Sequence, residues 1–185
     1  MDIVNVIYDY RHTPEDKERL IAEFLEQGIE NYKFWDAVVL KHSVIESINS
    51  SHKMIVSWAK ENKLPEVCIA EQDVFFTSKN SWKYFLEQKP KEYTVYVGAT
   101  YVMPPSQNLL TGFQLYFVHS NFYDQFLSVP NSVHIDNAIC DLKSNHKICY
   151  PFVALQRPGF SANNPGEPVN YNKGCGVKEK DIYTG

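Results

Sequence analysis

The sequence predicts an α/β domain with a mostly parallel central sheet flanked by helices. Runs of β-branched residues alternate with amphipathic helical segments along the chain, which is the pattern of strands joined by helical crossovers. The run Val67-Cys68-Ile69-Ala70 is apolar throughout, as a central strand covered on both faces requires. A length of 185 residues, with 44% hydrophobic and 22% charged side chains, suffices to bury one core without disulfide or metal staples.

The first element is a strand at Ile3-Val4-Asn5-Val6-Ile7-Tyr8, rich in β-branched residues, followed by the polar turn Asp9-Tyr10-Arg11-His12. Thr13 then serves as a helix N-cap, with Pro14 at the first helical position and acids at Glu15 and Asp16. Leu20, Ile21, Phe24 and Leu25 form an apolar stripe, and Gly28 terminates the helix. Phe34 to Leu40 reads as the second strand. Ser43 and Glu46 make a capping box before a helix that carries Ile45, Ile48, Ile55 and Ala59. Pro65 closes the approach to the Val67–Ala70 strand, whose C-terminal end carries Glu71-Gln72-Asp73.

A helix follows at Ser81 to Gln88. Strands are expected at Tyr93 to Tyr101 and Phe113 to His119, separated by a loop rich in Pro, Ser and Asn that includes Gly112. Short helices are expected around Asn121 to Leu127 and from near Asp136, and a last strand at Lys147 to Val153. Residues 1–155 thus read as one domain. Residues 156–185, rich in Pro, Gly and Asn, form a tail that is either a ligand-ordered loop or flexible chain.

The formal net charge of -4, with no long block of Lys or Arg, argues against a nucleic-acid or anionic-membrane surface. No apolar run is long enough to span a bilayer, and the charged opening residues are unlike a secretory signal, so a cytoplasmic location is expected. Cys68, Cys140, Cys149 and Cys175 have no C-x-x-C or zinc-type spacing and read as free thiols. His119 and His146 read as structural. Tyr8, Tyr10, Tyr101, Tyr116 and Phe160 are able to stack on a base or sugar ring, with core packing as the ordinary alternative.

The chemistry is expected at the acidic strand end, because ligands of open α/β sheets bind at the carboxyl ends of the strands. Carboxylates there suit a hard divalent cation that neutralises a diphosphate, although acids at strand ends also commonly face solvent or cap the next helix. Asp136 reads either as a functional carboxylate or as a helix cap. His52 reads either as a helix-face histidine in a satisfied hydrogen bond or as a ligand contact, and Arg157 as a ligand contact or a solvated charge.

The order of these elements resembles glycosyltransferase family 25, the lipooligosaccharide galactosyltransferase type, over most of the chain. The resemblance is carried by Val4 to Arg11, Gly28-Ile29, Tyr32, Phe34, Ala37-Val38 and Ser51-His52. It continues through Ile69-Ala70-Glu71-Gln72-Asp73-Val74, Gly98, the Gly112 to Val118 strand, His134-Ile135-Asp136 and the Pro151 to Ser161 run. Gln72 departs from the pattern by replacing the middle acid of the family's triplet, which removes one negative charge. The Ser50-Ser51 approach to His52 departs from the family's Gly-Cys-x-x-Ser-His passage.

The resemblance implies a GT-A-like nucleotide-sugar fold and an inverting hexosyl transfer from a nucleotide-sugar donor to a hydroxyl of a glycan or glycolipid acceptor. It assigns Asp73, with His134, to a divalent cation, manganese by preference. Asp9, Arg11, His52, Glu71 and Arg157 then contact the nucleotide-sugar, and Asp136 acts as the general base. Two other readings compete: a non-catalytic module of the same fold that binds nucleotide or glycan, favoured by Gln72, and a nucleotidyltransferase. The latter calls for a glycine-rich phosphate loop, which Asp9-Tyr10-Arg11-His12 does not supply.

Overall fold

The computed structural model describes residues 3–9, 11, 14–101, 110–142, 144–161 and 164–185. Strand β1 (Val4–Tyr8), buried along its whole length, lies between β2 (Tyr32–Asp36) and β3 (Glu66–Glu71) and runs parallel to both. β3 pairs antiparallel with β6 (Leu115–His119). Beyond it come β5 (Val95–Val97), antiparallel to β6, and β7 (Lys147–Ile148), parallel to β5. The six-stranded sheet therefore has the order β2-β1-β3-β6-β5-β7, with β6 as its one reversed strand.

Helices cover both faces, and the two-residue period of β3 shows how. Cys68 and Ala70 join a core with Leu20 and Phe24 of α1 (Pro14–Glu26) and Trp82 and Phe85 of α3 (Ser81–Glu87). Val67 and Ile69 point the other way, against Ile55, Val56 and Ala59 of α2 (Val44–Glu61), Phe126 of α4 (Tyr123–Ser128) and Ile139 of α5 (Ile135–Asp141). Each fully buried aliphatic side chain of this kind contributes about 1.5–3 kcal/mol. The unbroken apolar run thus marks a strand that feeds two cores.

Helix α1 stops where Gly28 adopts φ +70°, a left-handed conformation that glycine takes without strain; the next amide, of Ile29, bonds back to the Phe24 carbonyl at 2.9 Å. The expected N-cap Thr13 lies outside the described residues. Leu25 is 72% exposed and does not belong to the apolar stripe, since it sits 100° around the helix from Phe24. At α2 the Ser43 hydroxyl accepts the Glu46 amide at 3.2 Å, as expected, while the Glu46 carboxylate pairs with His42 at 3.1 Å.

Three expected strands are shorter than their apolar runs. β2 ends at Asp36 because the backbone beyond it is captured by hydroxyls of α2: Val38 N–H donates to Ser51 Oγ at 2.8 Å and Leu40 N–H to Ser47 Oγ at 2.9 Å. The Tyr93–Tyr101 run contributes only Val95–Val97 to the sheet, and the Lys147–Val153 run only Lys147–Ile148. A separate two-stranded ribbon joins β4 (Val74–Phe76), directly after the acidic triplet, to β8 (Ala154–Gln156).

The C-terminal segment carries β9 (Gly159–Ser161), β10 (Asn164–Val169) and α6 (Tyr171–Gly174). It then returns to the body: Ile182 bridges Phe152, Tyr183 stacks on Tyr84 with ring centres 4.2 Å apart, and the Thr77 hydroxyl donates to the Tyr183 carbonyl. Among the described residues no helix is long and apolar enough to cross a membrane.

Candidate functional site

A cleft of about 440 Å³ opens at the carboxyl ends of β1 and β3. It gathers Asp9 and Arg11 from the turn after β1, Glu71, Gln72 and Asp73 from the end of β3, His52 from α2, and His134 and Asp136 from the start of α5. Residues from four separate stretches of chain thus converge, and all but one of the expected site residues line the same cavity.

The exception is Arg157. Strand alternation turns Gln156 into the cleft and sends Arg157 to the opposite side, where its guanidinium pairs with Glu23 of α1 at 2.5 Å and lies over the Phe75 ring. Among the described residues Arg157 meets the site through its backbone amide, which donates to the Asp73 carbonyl at 2.7 Å.

The Asp73 carboxylate accepts the Gln156 side-chain amide at 2.8 Å through Oδ2. Its Oδ1 is sealed from solvent and has no hydrogen-bond partner among the described residues. Burial, together with the neighbouring Glu71 carboxylate, pushes Asp73 up to about 7. An orphaned oxygen beside a second carboxylate fits a hard cation bound by one or two protein carboxylates and by substrate phosphates. Among the described residues no group of three or more His, Cys, Asp and Glu side chains could hold a metal, so His134 does not complete such a centre with Asp73 and Glu71.

Gln72 points toward the turn after β1: its Oε1 accepts the Asp9 amide at 2.6 Å. The Arg11 guanidinium pairs with the Asp9 carboxylate, Nε to Oδ1 at 2.8 Å, and closes the turn after β1. His52 is 2% exposed, with Nδ1 2.6 Å from the Tyr116 hydroxyl and Nε2 3.1 Å from Glu71 Oε1.

Asp136 lies in the first turn of α5 and is not its N-cap; that position belongs to His134, whose side chain caps nothing. Both Asp136 oxygens accept amides, Oδ2 from Gly112 at 2.8 Å and Oδ1 from Asn137 at 2.9 Å. Burial raises the Asp136 pKa and these two bonds oppose the rise. Gly112 is required by its backbone, with φ +102°, and by space, because a Cβ there would sit 2.9 Å from the Tyr101 ring.

The remaining wall is neutral: Thr111, whose hydroxyl donates to Asn137 Oδ1 at 2.9 Å, together with Tyr101, Gln114, Gln156 and Tyr171. Tyr171 arrives from α6, and nothing in its local sequence marks it as a cleft residue. Tyr116, a stacking residue by composition, is fully buried against His52. His119 and His146 stay away from the cleft: His119 caps a short turn by accepting the Asn121 amide, and His146 meets Ser144. Tyr10 and the side chain of Phe160 lie outside the described residues.

No protein-family model and no curated protein sequence matches the chain. Solved structures do. A glycosyltransferase involved in glycosylation of the major capsid of PBCV-1 superposes with a TM-score of 0.55 at 11% identity, over 80% of this chain and 82% of that one. Protein A197 of STIV gives 0.50 at 13% identity, over 80% and 82%. The Drosophila β-1,4-galactosyltransferase 7 complex with manganese, UDP-galactose and xylobiose gives 0.50 at 10% identity, over 92% and 71%. The fold is that of the GT-A glycosyltransferases. In this GT-A frame the cleft lies where the acidic triplet leaves the central strand, the place the sequence marks.

Proposed function

We propose that this protein is a glycosyltransferase that moves a sugar from a nucleotide-sugar donor to a hydroxyl of a glycan or glycolipid acceptor, with inversion, in the manner of family 25. The observation that carries the reading is the convergence of Glu71 and Asp73, at the end of β3, with Asp136 of α5 in one cleft of a GT-A frame. Each group matches a demand of the reaction.

The donor is anionic, whereas the cleft is lined by four carboxylates and, among the described residues, by Arg11 as its one Lys or Arg side chain. Charge balance therefore calls for a cation. Asp73, through its free oxygen, and Glu71 hold it, and a divalent ion such as manganese supplies positive charge that stabilises the departing diphosphate. Asp9, Arg11 and Gln72 shape the nucleotide end. Asp136 removes the acceptor's proton as its oxygen bonds to the anomeric carbon, while the bond from that carbon to the diphosphate breaks and the nucleoside diphosphate leaves. The raised pKa of Asp136 brings it closer to working pH as a base.

The test is a donor screen. The protein is incubated with a panel of nucleotide sugars, with and without manganese, and with simple glycan acceptors, and nucleoside diphosphate release is followed. Acceptor-dependent, manganese-stimulated release is expected. Saturable donor binding without release supports instead a non-catalytic GT-A module, the reading favoured by Gln72 in place of an acid.

A further inference from the structure

The family resemblance implies a nucleotide contact for His52, but its two ring nitrogens are both committed elsewhere. Nδ1 lies 2.6 Å from the Tyr116 hydroxyl and Nε2 lies 3.1 Å from Glu71 Oε1; His52 is 2% exposed and Tyr116 fully buried. Chemistry orders this chain. Burial and the Glu71 charge hold the Tyr116 pKa well above the ordinary phenol range, so Tyr116 keeps its proton and donates to Nδ1. Nδ1 is thereby the acceptor, and Nε2 carries the hydrogen that Glu71 accepts.

The relay is braced by an aromatic neighbour. Phe113 stacks on Tyr116 with ring centres 4.1 Å apart and packs against the imidazole at 6.0 Å, so neither ring can turn without displacing core. The relay's outer end is a carboxylate of the cleft. Glu71 has one oxygen fastened from behind, as the outer partners of metal-binding side chains do.

We propose that His52 is a positioning residue: with Tyr116 it fixes the orientation of the Glu71 carboxylate that helps to hold the cation and donor diphosphate. This rests on the cation-binding reading of the cleft and adds to it a device outside the cleft's binding groups. It also explains why a buried, ionisable side chain occupies α2 where an apolar one would fill the core.

The test uses Mn²⁺ with UDP as the probe, by calorimetry, on four variants: His52→Leu, His52→Gln, Tyr116→Phe and Glu71→Gln, each with its thermal midpoint. His52→Leu should weaken Mn²⁺–UDP binding about 10–100-fold. His52→Gln, which restores an N–H donor, should recover part of the loss. Tyr116→Phe, which leaves the imidazole free to change tautomer, should cost about 10-fold and keeps the test decisive if His52→Leu does not fold. In the Glu71→Gln background the His52 substitution should have little further effect. Wild-type affinity in Tyr116→Phe and His52→Gln, or losses that add fully to that of Glu71→Gln, overturns the proposal. Wild-type protein that binds no Mn²⁺–UDP overturns the reading of the cleft itself, an outcome distinct from a relay that fails in a protein that binds.

Discussion

Gln156 and Asp73 meet at 2.8 Å, the amide of β8 on the carboxylate at the end of β3, and the bond occupies Oδ2 while Oδ1 stays buried without a partner. A buried oxygen with no donor is costly unless something positive completes it. Asp73→Asn should therefore remove manganese-dependent donor binding while the fold stays intact. Calorimetry with nucleotide sugar and manganese checks this, with circular dichroism as the control for folding.

The same carboxylate sets a pH dependence. Asp73 is raised from an unfolded value near 3.8 to about 7 in the fold, chiefly by burial and next by Glu71, so the folded state binds the proton more tightly. The stability this contributes is complete below about pH 4 and is lost as pH rises through 7. Without ligands, wild-type protein should be less stable at pH 8 than at pH 5 by about 2–3 kcal/mol from this group, about 1.4 kcal/mol for each pH unit between 5 and 7. Asp73→Asn should flatten that difference, and manganese affinity should rise over the same window as the proton leaves. Thermal melts and calorimetry across pH 5 to 8 measure both.

Gln72 stands where the family that the sequence resembles has an acid. Its oxygen accepts the Asp9 amide at 2.6 Å and so ties the end of β3 to the turn that carries Arg11. Gln72→Leu should loosen that turn and weaken nucleotide binding about tenfold, the equivalent of one hydrogen bond. Gln72→Glu keeps the acceptor, adds charge in a partly desolvated site and should tighten manganese binding. Manganese affinity unchanged in Gln72→Glu would place residue 72 outside the influence of the ion.

Asn49 acts on the other half of the site. From α2 its side-chain amide reaches the carbonyls of Pro130, Asn131 and Val133, at 3.4, 3.0 and 2.5 Å, in the loop that leads to Asp136; the Lys53 ammonium reaches the Asn131 side chain at 2.7 Å. Asn49→Ala should cost about 1–3 kcal/mol of stability. It should also lower turnover more than donor affinity, because the loop that aims the base relaxes while the acidic strand end does not. Chemical denaturation and a comparison of kcat with KM separate these effects.

Much of this was legible in residues whose neighbours along the chain determine their structure. Val67 to Ala70 announces a strand covered on both faces, Ser43 announces the start of α2, and the triplet after Ala70 marks the cleft because strand ends bind ligands wherever the sheet is open. What was not legible depends on partners remote in sequence. Val38 to Leu40 has strand composition, yet Ser47 and Ser51 take its amides. Gln156 and Arg157 are adjacent in a polar run, and only the pairing of β8 with β4 decides which of them faces Asp73. Tyr116 looks like any core aromatic until its hydroxyl is found on His52, and Tyr171 enters the cleft from a segment whose composition suggests a loop.

The measurement that bears most directly on glycosyl transfer by this cleft is turnover in Asp136→Asn at saturating donor and manganese. Both Asp136 oxygens accept amides, so an asparagine amide can replace only one of them, at a stability cost of about 1 kcal/mol. The account predicts that donor and manganese affinities stay within a few-fold of wild type while acceptor-dependent sugar transfer falls about 10²–10⁴-fold. Transfer at the wild-type rate in Asp136→Asn would contradict it and remove Asp136 as the base.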